Sequence, residues 1–190
     1  MITYVDLGAH DGTKAVEYAG RVPMRAAYLF EPNPNIIPAI IPHVPTEIIR
    51  AAAWDGDGEA PLYIGQIWHG QGSTLLREKT TGALDLANPI RVRTIDFARW
   101  LLEHRELPDI ELKFNIEGAE YRVLDHLCQQ HVLDQVDVRA IHWSHHAKKI
   151  GLDPTQMAAH VTQALTGFCV LEASPFGGGF ITYRRSALSW

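Results

Sequence analysis

Two glycines close a corner after the first apolar run of the chain. The segment reads Val5-Asp6-Leu7-Gly8-Ala9-His10-Asp11-Gly12. Glycine lets a backbone approach a ligand closely, and the first turn of a following helix offers N–H groups that lack a partner. A dinucleotide-binding G-x-G-x-x-G pattern would need glycine where this chain has His10. The G-x-x-x-G spacing therefore favours a ligand with an amino-acid part, although a plain strand–turn–helix corner would show the same residues. Asp6 is placed to accept from an ammonium group or to order the loop.

A single acidic residue ends the second apolar run. Glu31 lies nineteen residues after Gly12. In a nucleotide-binding βαβ unit, an acid at this place accepts hydrogen bonds from the ribose hydroxyls. A lone acid at a strand end is usually only solvated, but its distance from the glycine corner favours the binding role.

A row of polar residues alternates with apolar ones later in the chain. Lys113, Asn115 and Glu117 alternate with Leu112, Phe114 and Ile116. On a strand, alternate side chains share a face, and central parallel strands are normally apolar on both faces. A polar row is explained if the strand ends in a site, because open α/β sheets bind ligands beyond the carboxyl ends of their strands. An edge strand with one solvated face is the alternative.

Three histidines follow the next apolar run, in the segment His142-Trp143-Ser144-His145-His146. Imidazole is the side chain best suited to act as a base near neutral pH. We therefore take His142 and His145, together with Glu117, as candidate bases. No acidic residue stands beside these histidines at metal-ligand spacing, so we predict no metal site.

Short apolar runs alternate with helical stretches, which predicts one α/β domain over residues 1–190 with a mainly parallel sheet. Strands are predicted at 2–7, 26–30, 47–52, 61–64, 90–94, 111–116, 137–142, 168–171 and 180–183. Helices are predicted at 13–19 and 34–43, around 97–102 and 119–127, and from a cap at Asp153 to about 165. The last two strands are expected to be antiparallel. The long segment 65–89 is predicted to be a substrate lid that includes Trp68 and His69.

Composition narrows the class of partner. The chain has 190 residues, 46% of them hydrophobic, and a net charge of −5. A folded domain that binds a small molecule is expected rather than a nucleic-acid protein, which usually carries a basic stripe. No apolar run is long enough to span a bilayer, and the first residues lack a secretory signal. Two distant cysteines, Cys128 and Cys169, fit the cytoplasm.

Taken together, these segments resemble the FkbM-type methyltransferases. The similar motifs are the corner at 5–12, Phe30-Glu31-Pro32-Asn33-Pro34, Ala51-Ala52-Ala53-Trp54 with 57–64, Thr94-Ile95-Asp96 before a helix, and the segment 113–120. The similarity runs from near residue 2 to near residue 128, and more faintly to Tyr183. Many methyltransferases share the first motif, whereas the order and spacing of all five are more specific.

The resemblance implies a Rossmann-like class I methyltransferase fold with a mainly parallel seven-stranded sheet, an antiparallel C-terminal hairpin and helices on both faces. It implies S-adenosylmethionine as methyl donor and O-methylation of a sugar or natural-product hydroxyl, so the acceptor would be a small molecule or glycan. The corner from Gly8 to Gly12 would hold the methionine part, and Glu31 with Pro32 the ribose. Ala53, Trp54 and Asp55 would lie near adenine. Lys113, Asn115, Glu117 and Glu120 would line the reacting end.

Two departures from the family keep alternatives open. The family usually has aspartate where this chain has Asn115, and a neutral amide cannot take a proton. It also commonly carries sequence before the first strand, whereas here that strand begins near Met1, which leaves room for a homo-oligomer in which a second copy covers the cofactor. One alternative is a non-catalytic S-adenosylmethionine-binding module. The other is a nicotinamide-dependent oxidoreductase, which the missing middle glycine disfavours.

Overall fold

A computed structural model describes residues 1–66, 69–171, 176 and 180–186 of the chain. Within them lie ten strands: β1 Ile2–Leu7, β2 Met24–Phe30, β3 Thr46–Ile49, β4 Ala52–Trp54, β5 Gly58–Gly65, β6 Leu84–Asp96, β7 Ile110–Phe114, β8 Val138–Ser144, β9 Phe168–Leu171 and β10 Phe180–Arg185. The α-helices of the same residues are α1 Thr13–Ala19, α2 Phe97–Glu103, α3 Glu120–Gln129 and α4 Pro154–Ala164. Trp68, which was assigned to the lid, lies outside the described residues.

Seven of these strands form one sheet in the order β3-β2-β1-β7-β8-β10-β9. The first strand is central, because Val5 pairs in parallel with Tyr28 on one side and with Leu112 on the other. The last strand, β10, runs antiparallel to both β8 and β9. The predicted mainly parallel sheet and antiparallel end are therefore confirmed. The carboxyl ends of β1, β2 and β7 meet at one edge of the sheet.

The sheet separates two hydrophobic cores. Successive side chains of β1 point to opposite faces, so Tyr4 packs with α1 residues while Val5 packs with residues of α2, α3 and α4. Leu29 and Phe30 at the end of β2 divide in the same way. Helices thus cover both faces, and the sheet ends are held rigidly enough to position a site.

A second sheet of three strands, in the order β4-β6-β5, lies beside the first. The strand predicted at 47–52 is split between the two sheets, because β3 ends at Ile49 and β4 begins at Ala52. The strand predicted at 90–94 is much longer, since β6 already begins at Leu84. The last part of the predicted lid is therefore strand, and the connection between β5 and β6 covers only residues 66–83.

The helix predicted at 34–43 is wrong, because these residues form turns and irregular structure. Pro38 and Pro42 fall inside the predicted helix, where proline removes a donor and clashes with the preceding turn. The segment instead packs on the start of α1: the Ala39 N–H donates to the carbonyl oxygen of Asp11 at 2.8 Å. The predicted cap at Asp153 is confirmed, since its carboxylate accepts from the Gln156 N–H at 2.8 Å.

Candidate functional site

A cavity of about 390 Å³ opens at the carboxyl ends of β1, β2 and β7. The predicted site residues that line it are Gly8, Ala9, His10, Asp11, Glu31, Pro32, Ala53, Lys113, Asn115 and Glu117. Segments from both sequence halves are thus brought to one place. The volume falls within the roughly 300–1,000 Å³ typical of small-molecule pockets.

The protein's own backbone requires the two glycines of the corner. Gly8 has φ +84°, and a methyl carbon added there would lie 2.2 Å from the carbonyl oxygen of Asn115. Gly12 has φ +78°, and a methyl carbon there would lie 2.6 Å from the Ala39 nitrogen. Gly12 is not among the described residues that line the cavity. Close packing of chain segments is therefore sufficient to require glycine at both positions.

Glu31 is joined directly to the corner. Its Oε2 accepts from the His10 N–H at 2.8 Å, and its Oε1 accepts from the Asn33 N–H at 2.9 Å. Burial raises the pKa of Glu31, although these two backbone hydrogen bonds act in the opposite direction. The carboxylate that ends β2 and the corner that follows β1 thus form one wall of the cavity.

His10 supplies a polar atom that has no partner within the described part of the chain. Its backbone has φ +51°, a left-handed conformation. Its ring lines the cavity, and Nε2 is buried without a hydrogen bond to any described residue. Buried polar groups normally have partners. This nitrogen has almost no accessible surface, so other atoms of His10 form its part of the cavity wall.

Lys113 and Asp6 neutralise each other below the corner. The Lys113 ammonium donates to Asp6 Oδ1 at 2.6 Å, and the Tyr4 hydroxyl donates to Asp6 Oδ2 at 3.0 Å. Burial, followed by the charge of Asp6, raises the pKa of Tyr4. Asp6 is fully buried and is not among the described cavity-lining residues. Of the two roles considered for Asp6, the geometry supports ordering of the loop.

Glu117 carries its charge into the cavity with two lysines beside it. Its Oε2 lies 3.2 Å from Lys79 Nζ and 3.6 Å from Lys149 Nζ. Burial alone would raise the pKa of Glu117, but the charges of His146, Lys79 and Lys149 lower it overall. The carboxylate is therefore ionised at neutral pH. Its backbone has φ +59°, an uncommon conformation for a residue with a side chain.

Glu120 holds the turn that presents Asn115 and Glu117. It is fully buried and accepts from the Ile116 N–H at 2.7 Å and the Gly118 N–H at 2.6 Å. His146 Nδ1 lies 3.1 Å from the same carboxylate. Glu120, which the resemblance placed at the reacting end, is not among the described lining residues. Its contacts stabilise the turn.

The two predicted histidine bases lie away from the cavity. His142 is buried, with Nε2 3.2 Å from Glu111 and Nδ1 3.0 Å from the Thr182 hydroxyl. Burial lowers the pKa of His145, and its Nδ1 lies 3.5 Å from the Tyr121 hydroxyl. Neither histidine is among the described lining residues. This placement does not support a base role for either of them.

Trp54 is also placed away from the cavity. The Arg122 guanidinium lies over its ring, 4.6 Å from the ring centre, and pairs with Asp55. Trp54 is absent from the described lining residues, whereas Ala53 is present. The ring therefore fastens α3 to the second sheet.

Several lining residues were not identified from the sequence. They are Thr13, Lys14, Phe30, Ile36, Ala51, Ala52, Leu62, Ile116, Ala119 and the segment 70–75; His69, also lining, was assigned only to the lid. Thr13 and Lys14 could have been found from their place at the start of α1. The segment 70–75 falls within the predicted lid, but the sequence did not show which residues of the lid line the cavity.

A family model described as "Methyltransferase FkbM domain" matches residues 6–168. The chain belongs to the FkbM methyltransferase family. The matched range includes the corner, Glu31 and the end of β7, and it confirms the resemblance seen in the sequence. The FkbM domain supports a methyltransferase activity for this protein. No curated protein and no solved structure matched the chain. Among the helices of the described residues, none is long and apolar enough to cross a membrane.

Proposed function

We propose that this FkbM-domain protein is an S-adenosylmethionine-dependent O-methyltransferase that acts on a hydroxyl of a sugar or natural-product small molecule. The observation that carries the proposal is the hydrogen bond from the His10 N–H to Glu31. It joins the carboxylate suited to ribose hydroxyls to the corner suited to an amino-acid part. A nucleoside linked to an amino acid is a single ligand that can contact both the carboxylate and the corner.

The residues present fit this cofactor. Glu31 has further lone pairs on its two oxygens beyond its backbone hydrogen bonds, so it can accept from ribose hydroxyls. Ala51, Ala52 and Ala53 form a small apolar wall suited to a flat base.

When bound, S-adenosylmethionine supplies an already activated methyl group. The protein must then align the acceptor oxygen and exclude water, which can provide most of the rate enhancement. Gln71 lines the cavity with Asn115, and the side-chain amides of both residues suit a hydroxylated acceptor.

Glu117 is our candidate for the base that accepts the proton of the hydroxyl group that is methylated. Both ion pairs that described residues make with it use Oε2, so Oε1 is the oxygen we assign to the acceptor. A positioned base contributes roughly 10²–10⁴-fold to such a reaction. The lowered pKa makes this carboxylate a weak base that is always ionised at neutral pH.

Calorimetric titration with S-adenosylhomocysteine tests cofactor binding. The Glu31→Gln variant should bind at least about tenfold more weakly, since it loses a charged acceptor for the ribose. Glu47→Gln, an exposed change on neighbouring β3, is the matched control and should bind normally. An unmodified protein that does not bind at millimolar concentration would overturn the proposal.

Turnover with a panel of glycans and hydroxylated natural products tests the reaction itself. Methyl transfer to at least one acceptor is expected. Asn115 stands where the family usually has aspartate, which is the observation that favours a non-catalytic binding module. If the protein binds the cofactor tightly but does not consume it with any acceptor of the panel, the result would support the non-catalytic module.

A further inference from the structure

The segment 69–83 is folded around one buried ammonium group. Lys79 Nζ donates to the Gly72 carbonyl at 2.8 Å and to the Thr81 carbonyl at 3.0 Å, and its side chain is only 1% exposed. A methyl carbon added at Gly82 would lie 2.9 Å from this nitrogen, and one at Gly72 would lie 3.3 Å from it. The cage is therefore closed tightly around the charge.

The carboxylate that lies against this ammonium is Glu117, at 3.2 Å. Burying a charge is costly unless a partner compensates it, and removing one member of a buried pair leaves the other uncompensated. Glu117 is itself 14% exposed and lines the cavity. The internal charge of the segment is thus balanced by a group of the candidate site.

Two further contacts fasten the segment, one to Glu117 after β7 and one to Lys149 after β8. The Thr74 hydroxyl donates to the Glu117 carbonyl at 3.1 Å. The Thr80 N–H donates to the Lys149 carbonyl at 2.6 Å. Lys149 also lies 3.6 Å from the Glu117 carboxylate. The segment, the end of β7 and the residues around 149 therefore meet at Glu117.

We propose that Lys79 is a positioning residue of the cavity: its ion pair with Glu117 holds the segment 69–83 in place, so that Gln71 faces the acceptor. The role toward an acceptor rests on the proposed function. The holding of the segment rests only on the contacts of Lys79. The position of the segment is then coupled to Glu117 by the ion pair with Lys79.

Hydrogen exchange of the Thr74 and Thr80 amides tests the holding role without any ligand. In Lys79→Met these amides should exchange at least about tenfold faster, because the segment opens more often. The matched control is Arg91→Met on the β5–β6 hairpin, which removes an ion pair to Glu59 of the same 3.2 Å length but with both side chains more than 60% exposed. In Arg91→Met the exchange of the Thr74 and Thr80 amides should change by less than about threefold, because exposed ion pairs contribute little to stability. Unchanged exchange of the Val5 and Leu112 amides in the sheet verifies that each variant is folded.

A double-mutant cycle tests whether the effect passes through Glu117. Adding Glu117→Gln to Lys79→Met should accelerate exchange far less than Glu117→Gln does in the unmodified protein. Carbon-13 titration of the Glu117 carboxyl gives a second readout, since its midpoint should rise in Lys79→Met and stay unchanged in Arg91→Met. Additive exchange effects or an unmoved midpoint would overturn the proposal.

S-adenosylhomocysteine binding separates this inference from the proposed function. Lys79→Met should weaken binding by roughly 5–50-fold, because a smaller fraction of molecules has the segment in place. If the unmodified protein fails to bind while the exchange and titration results hold, the proposed function fails and the holding role survives. If the unmodified protein binds and Lys79→Met binds equally well, the positioning role is refuted.

Discussion

Replacing Gly8 with alanine measures how strongly the fold requires the glycine corner. At φ +84° an alanine is strained by about 1–2 kcal/mol, of which about 0.4–1 kcal/mol is offset by lower entropy of the unfolded chain. The added methyl would lie 2.2 Å from the Asn115 carbonyl oxygen, so β1 and β7 must separate. Such overpacking costs about 1–3 kcal/mol. We therefore expect Gly8→Ala to lower the free energy of unfolding by about 1–5 kcal/mol.

Urea unfolding followed by circular dichroism measures this loss, with Gly151→Ala as the matched control. Gly151 has a similar φ of +74°, but no atom of the described residues lies within 4 Å of an added methyl. The control carries strain without overlap and should lose at most about 1.5 kcal/mol. Gly12→Ala, with a contact of 2.6 Å to Ala39, should lie between the two. Equal losses for Gly8→Ala and Gly151→Ala would refute the reasoning.

Three further predictions concern the charges of the site. Burial raises the pKa of Glu31, so protonation should weaken S-adenosylhomocysteine binding as the pH falls, starting above the ordinary glutamate value of about 4.3. Calorimetry across pH checks this, and a loss confined to lower pH would contradict it. Lys113→Met leaves Asp6 without its buried counterion and should cost about 3–5 kcal/mol in urea unfolding; unchanged stability would argue against the pair. His142→Gln should keep cofactor affinity and turnover while losing about 1–3 kcal/mol of stability, because its bond to Glu111 is weakened. Lost turnover at full stability would restore His142 as a base.

Local periodicity predicted much of what positions the site. Leu112 and Phe114 enter the core, whereas Lys113 reaches the cavity, as expected for alternate residues of a strand. The convergence of Glu31 with the corner was predictable because parallel strands share a carboxyl edge. These inferences need only the strand direction and neighbouring residues.

Sequence reasoning failed where internal prolines or distant partners decide the structure. Ile36, Ile37, Ile40 and Ile41 have helical spacing, yet the prolines among them exclude a helix and leave Ile37 75% exposed and Ile40 68% exposed. The spacing of residues also cannot show which charges pair. Lys79 meets Glu117 through a loop whose path depends on the second sheet.

The spacing of residues also cannot show which partners the histidine rings contact. His142 was expected at a strand end but lies inside β8, which continues to Ser144, and it pairs in register with Lys113. Its ring nevertheless hydrogen-bonds to Glu111 and Thr182 inside the protein. His10, which the sequence placed only in a binding loop, lines the cavity instead.

The steric need for glycine at positions 8 and 12 has an evolutionary consequence. Selection for a folded domain alone would preserve both glycines in a descendant that had lost its enzymatic role. Counting this signature across genomes would then count inactive paralogues together with active enzymes. Glu31 is subject to the same constraint, because its buried carboxylate accepts from the backbone N–H groups of His10 and Asn33.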